Sequence, residues 1–141
     1  MQLKLKYFII LILGMFLILP MISAEDVTGC QDLNQSNTVY NLQNDITISG
    51  SGNCLIYDTS YDNVTFNGNG YTVYIQASGV NVFLIGGTTS GSNFTIFDIN
   101  VVGNSSYTSN SFITKPSGAS NERHIVYFNN INISNISYGF Q

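Results

Sequence analysis

Apolar and polar residues alternate in short runs along most of the chain. The runs include Asp45-Ile46-Thr47-Ile48, Cys54-Leu55-Ile56-Tyr57, Asn63-Val64-Thr65-Phe66, Tyr71-Thr72-Val73-Tyr74-Ile75 and Asn81-Val82-Phe83-Leu84-Ile85. Asn93-Phe94-Thr95-Ile96-Phe97, Ile99-Asn100-Val101, Ile125-Val126-Tyr127-Phe128 and Ile131-Asn132-Ile133 follow. Each has the two-residue period of a half-buried strand, and Asn, Gly, Ser and Asp break the runs where turns are needed. Ile46, Val64 and Val82 recur at a constant 18-residue interval, as do Ile48, Phe66 and Leu84, with Leu55 and Val73 halfway between. A second correspondence, with a 32-residue offset, aligns Phe94-x-Ile96-x-Asp98-Ile99-Asn100-Val101 with Val126-x-Phe128-x-Asn130-Ile131-Asn132-Ile133.

Short strands at a fixed period predict an all-β solenoid, in which each coil stacks on its neighbours. An antiparallel sandwich also gives short strands, but a constant phase across three of them is not expected of one. The 18-residue series predicts Ile46, Val64 and Val82 stacked in one inward column. Asp45, Asn63 and Asn81 should then stack as a polar ladder of the kind seen in other stacked sheets. The extra length at 103–124, rich in Ser and Asn and holding Pro116, reads as a loop protruding from one coil.

The first residues break this pattern. Lys4 and Lys6 precede an apolar run from Tyr7 to Leu19, then Pro20 and Ile22-Ser23-Ala24. That is the layout of a secretory signal. The competing reading, an uncleaved anchor, needs roughly 20 apolar residues, more than this run supplies. The expectation is a signal at 1–24, a domain at 25–141, and no membrane span once the signal is removed.

Composition then narrows the chemistry. Residues 25–141 carry two cations, Lys115 and Arg123, against eight acids, a net charge of -6. Nucleic acid and anionic lipid are therefore disfavoured partners, since both need a basic surface. One histidine, His124, and two cysteines are too few for clustered zinc, copper or haem ligands, so no metal or cofactor is expected. Asn (18), Ser, Thr and Gly (13) abound while helix formers are scarce. Ile, Tyr and Phe supply the β-branched and aromatic content that a disordered chain lacks.

Cys30 and Cys54, the two cysteines of an exported chain, are expected to form a disulfide pinning the first coil. Neither has the flanking cation or Cys-x-x-Cys spacing that makes a thiol reactive. Six Asn-x-Ser/Thr sequons begin at Asn34, Asn63, Asn93, Asn104, Asn132 and Asn135. Asn34 and Asn104 fall in expected loops and are the better glycosylation acceptors. Asp58 and Asp62 could approach through a turn, and Asp98 from a strand, as a carboxylate pair for glycoside cleavage. They read more simply as turn and surface residues, so no catalytic residue is assigned. Tyr61, Tyr71 and Tyr74 would suit sugar stacking or, more commonly, cross-strand packing.

Asp62-Asn63-Val64-Thr65-Phe66-Asn67-Gly68-Asn69-Gly70-Tyr71-Thr72-Val73 resembles the first coil of right-handed parallel β-helix proteins with the pectate-lyase-like fold. Asn93–Val101 resembles the following coil. Cys30 with Leu33-Asn34, Leu42-x-x-Asp45-Ile46 and Gly52-x-Cys54 resemble the N-terminal coil of adhesin-like surface proteins of methanogenic archaea. The resemblance implies a right-handed β-helix of about three to four coils, secreted or on the cell surface, with a structural or adhesive role. A surface polysaccharide is one implied partner. The family also includes polysaccharide lyases and hydrolases, one alternative function; the other alternative is a non-functional fragment of a longer surface protein. Residues 131–140 read as a coil continuing. The expectation is either a fragment of a longer surface protein or an open C-terminal edge that pairs with another copy.

Overall fold

A computed structural model describes residues 22–87, 92–115 and 125–140. Strands make up 61% of the described residues, with no helix among them. In chain order they are β1 (Ser23–Val27), β2 (Gln31–Leu33), β3 (Thr38–Leu42), β4 (Ile46–Ile48), β5 (Gly52–Asp58) and β6 (Val64–Asn67). Then come β7 (Thr72–Ile75), β8 (Val80–Gly86), β9 (Asn93–Val102), β10 (Ser111–Thr114), β11 (Ile125–Ser134) and β12 (Tyr138–Phe140).

Every pairing between them is parallel, and the coils stack as a β-solenoid of about three turns. Each full coil has three faces. β1, β3, β6 and the leading parts of β9 and β11 form the first face. β4, β7 and the trailing parts of β9 and β11 form the second. β2, β5, β8, β10 and β12 form the third.

The coil repeat is longer than the 18-residue series predicts. Val39 pairs with Thr65, Ile46 with Val73, Leu55 with Phe83 and Val64 with Phe94. Side-chain bonds between neighbouring coils span the same sequence separations, which grow from 26 through 27 and 28 to 30. Ile46, Val64 and Val82 lie on the second, first and third faces, so they do not form one column. The 32-residue correspondence is the true register between β9 and β11: Phe94 pairs with Val126, Ile96 with Phe128, Ile99 with Ile131 and Val101 with Ile133. Part of 103–124 is also not loop. Ser111–Thr114 is β10, and Phe112 and Ile113 are buried because the third face continues through them. Residues 116–124 of that stretch, with Pro116, Arg123 and His124, lie outside the described residues.

Corners are turned by short polar residues in the left-handed region. Asn69 (φ 50°), Asp98 (φ 53°) and Asn130 (φ 50°) sit at the bend between first and second faces; Asn37 (φ 56°) and Asn63 (φ 55°) open the first face. Asn and Asp tolerate this conformation because their side chains bond locally. They also bond between coils: Asn63 Nδ2 donates to Asn37 Oδ1 at 3.1 Å, and Asn130 Nδ2 to Asp98 Oδ1 at 2.6 Å. The stacked Asn pairs lie a coil repeat apart, Asn63 on Asn37 and Asn81 on Asn53, so Asp45, Asn63 and Asn81 do not form one ladder. Asp45 has a different partner, the Thr72 backbone N–H at 2.8 Å.

Inward residues form columns along the axis. Tyr40, Phe66, Ile96 and Phe128 stack on the first face, and Leu55, Phe83, Ile113 and Phe140 on the third. Both columns are fully or nearly buried until their last members. Where one coil's corner meets the next, Gly68 lies so close that a methyl group would overlap the Asp98 carbonyl oxygen and stand 2.6 Å from Ile99 Cβ. Those neighbours are backbone or β-carbon and cannot swing aside. Gly68→Ala is expected to cost about 2–3 kcal/mol. Gly50→Ala, with nothing within 4 Å, should stay within about 0.5 kcal/mol. Urea midpoints of the two variants give the comparison, and equal midpoints would refute the close stacking.

Candidate functional site

Of the acids considered as a carboxylate pair, Asp58 and Asp98 use their carboxylates to build the coil and Asp62 uses its backbone. Asp58 Oδ1 accepts the Ser60 backbone N–H at 2.8 Å, closing a turn that Tyr61 N completes on the Asp58 carbonyl at 3.1 Å. Asp62 lies at the next corner, where its N–H donates to Ser36 Oγ at 3.0 Å and its carbonyl accepts Asn37 N–H at 2.9 Å. Asp98 is itself a corner and takes the Asn130 amide. Asp26 accepts Gln43 Nε2 at 2.6 Å. Glu122 lies outside the described residues. Among the described residues, no three His, Cys, Asp or Glu gather where one metal ion would touch them all.

Tyr57 is fully buried, and its hydroxyl donates to the Tyr61 carbonyl at 2.7 Å. Burial, and behind it the Asp62 and Asp58 carboxylates, push its phenol above the ordinary tyrosine range, against the effect of a hydrogen bond with Ser92. It stays a neutral structural donor. Tyr71 and Tyr74 are exposed, while Tyr61 is half-buried against the core. The three do not form one row: Tyr74 pairs with Thr47 and Val102, whereas Tyr61 and Tyr71 occupy corners.

Cys30 and Cys54 are joined, with Cα atoms 4.4 Å apart. The bond ties the short first coil to β5, where Cys54 is buried. Asn104 and Asn34 are both exposed. Asn104 Oδ1 accepts the Ser106 N–H at 2.9 Å, within its own sequon. Asn63, by contrast, spends its amide on Asn37. Asn135 is exposed beside the Asn104 loop, a neighbour that sequence spacing alone does not reveal.

The two ends of the solenoid differ most sharply. At the N-terminal end, Ser23, Glu25, Val27, Gln31 and Leu33 take the inward places over Thr38, Tyr40, Leu42, Leu55 and Tyr57, so this layer is part polar and part apolar. Glu25 accepts Gln35 Nε2 at 3.0 Å. Burial first, then the Glu25 charge, raises the Tyr40 phenol. An inward-pointing charge is a common means of closing a sheet end to further pairing. At the C-terminal end the corresponding places hold Val126, Phe128, Ile131, Ile133, Ile136 and Phe140. Phe128 and Phe140 remain 42% and 63% exposed, although they pack on each other and on Phe112. β11 and β12 contain no charged residue. This apolar layer is the candidate functional site, and alternating apolar periodicity alone could not separate its residues from interior ones.

No helix among the described residues is long and apolar enough to cross a membrane. Compared with protein families, curated proteins and solved structures, the chain shows no match.

Proposed function

We propose that this chain is an exported, surface-associated structural or adhesive module of the adhesin-like β-helix type, whose C-terminal end takes on further β-structure. The observation that carries the reading is the contrast between its ends. One end is stapled by Cys30–Cys54 and mixes polar Glu25 and Gln31 with Val27 and Leu33 in its inward layer; the other presents six apolar side chains and two uncharged edge strands. The disulfide supports an oxidising compartment, where such bonds persist. The outward Asn, Thr and Tyr residues supply the hydrogen-bonding and stacking groups that a surface polysaccharide partner would use. Asn104, held in an exposed turn, is the acceptor best placed for glycosylation.

Fractionation of the native cells with intact-mass measurement tests this. The expected product is the chain shortened to begin at Glu25, in the surface or medium fraction, with its mass rising by about 2 Da on reduction. Cleavage there leaves Glu25, Asp26 and Val27 of β1 paired to β3. A cytosolic protein with free thiols would overturn the proposal.

A further inference from the structure

We propose that the corner Asn67-Gly68-Asn69-Gly70 is a site of spontaneous covalent modification, held inert by coil stacking and released when the stack opens. The chain's two Asn-Gly pairs adjoin here, between the first and second faces of one coil. In such a pair the glycine nitrogen can reach the asparagine Cγ, because no side chain on the glycine shields it. The nitrogen gives up its proton and attacks. The N–Cγ bond forms, the Cγ–Nδ2 bond breaks, and the amide leaves with that proton as ammonia. Water then opens the cyclic imide at either carbonyl. Attack at Cγ leaves aspartate; attack at the backbone carbonyl leaves isoaspartate, with one more methylene in the main chain.

In the folded chain both attacking nitrogens and both leaving amides are engaged. Gly68 N–H donates to the Phe97 carbonyl at 2.8 Å and Gly70 N–H to the Asp98 carbonyl at 2.7 Å, both on the following coil. Asn67 Nδ2 donates to Asn41 Oδ1 at 3.1 Å and Asn69 Nδ2 to the Leu42 carbonyl at 2.9 Å, both on the preceding coil. Asn67 Oδ1 accepts the Asn69 N–H at 2.9 Å, and the Gly70 carbonyl accepts Asn100 Nδ2 at 2.8 Å. The nitrogens are thus tied to one neighbouring coil and the amides to the other, and neither can turn while both are stacked. The products do not fit the same corner. A carboxylate at position 69 sets an acceptor against the Leu42 carbonyl, where the amide had donated. An added methylene at position 67 enters beside Gly68, where one extra carbon already overlaps the Asp98 carbonyl oxygen. The change is therefore one-way: a corner that opens and reacts does not restack.

Peptide mapping of the oxidised chain, folded and in urea at the same mildly alkaline pH, tests the proposal. In urea, a gain of about 1 Da at each of Asn67 and Asn69 is expected before any other asparagine changes. In the folded chain the same gain should accumulate at least about a hundredfold more slowly, since only the open fraction reacts. Asn41→Ala removes an acceptor but none of the reacting atoms. It should speed the folded reaction several-fold and leave the rate in urea unchanged. The modified chain, returned from urea, should show a lower urea midpoint than the unmodified chain treated alike. Equal rates folded and in urea overturn the proposal, as does earlier reaction at another asparagine. A modified chain that regains the original midpoint overturns the one-way change.

Discussion

Phe83→Ala is expected to lower stability by about 3–5 kcal/mol, read as a fall in urea midpoint at an unchanged slope. Phe83 is fully buried at the centre of the aromatic cluster. Its ring meets Phe66 at 5.2 Å, Phe112 at 5.4 Å and Phe94 at 5.9 Å, all near edge-on. Edge-on pairs of this kind contribute about 0.5–1.5 kcal/mol each beyond the area they bury. Phe83 also stands between Leu55 and Ile113 in the third-face column, so its removal leaves a void with coils on both sides. Rigid stacked strands cannot collapse into that void from either direction, which places the cost toward the upper end of the range. Since a domain's whole stability is about 5–15 kcal/mol, the variant should be partly unfolded at ordinary temperature. Phe83→Leu keeps much of the volume and should lose clearly less. Equal losses for the two would mean that ring packing does not decide the effect.

The parallel solenoid was legible because inward positions alternate within each short strand and turn residues separate them. The coil length was harder to see. Ile46, Leu55, Val64 and Val73 are nine apart, and each step moves to the next face rather than to the next coil. Three steps complete a coil, which is why Ile46 pairs with Val73. An 18-residue period is two of those steps, so successive members land on different faces. Between β9 and β11, added residues stretch the repeat to 32 and hide the nine-residue step, but leave the match between Phe94 and Val126 intact. β10 escaped recognition because Ser111-Phe112-Ile113-Thr114 is brief and flanked by Ser and Asn. What makes it a strand is tertiary, the pairing with β8 and β12. The candidate site was legible only as an open edge. That Phe128 and Phe140 lie at its surface, and that Glu25 faces inward at the opposite end, depends on register.

Cys30→Ser is expected to cost about 3.5 kcal/mol, the loop-closure entropy of the 25-residue ring from Cys30 to Cys54. Cys30 is exposed and Cys54 buried, so the serine meets water while Cys54 remains as a small apolar filler. Reduction of the unaltered protein should produce the same shift in urea midpoint. A change below about 1 kcal/mol would show that the first coil is held by strand pairing alone. That pairing is limited: β2 meets β5 through three residue pairs, and in the product that begins at Glu25, β1 meets β3 through three of its five. The staple therefore also governs the N-terminal end. Once it is cut, β2 is the element expected to open first, carrying Gln31 away from Leu55 and Leu33 away from Tyr57. Hydrogen exchange should then show β2 amides losing protection on reduction while β5 keeps its protection against β8.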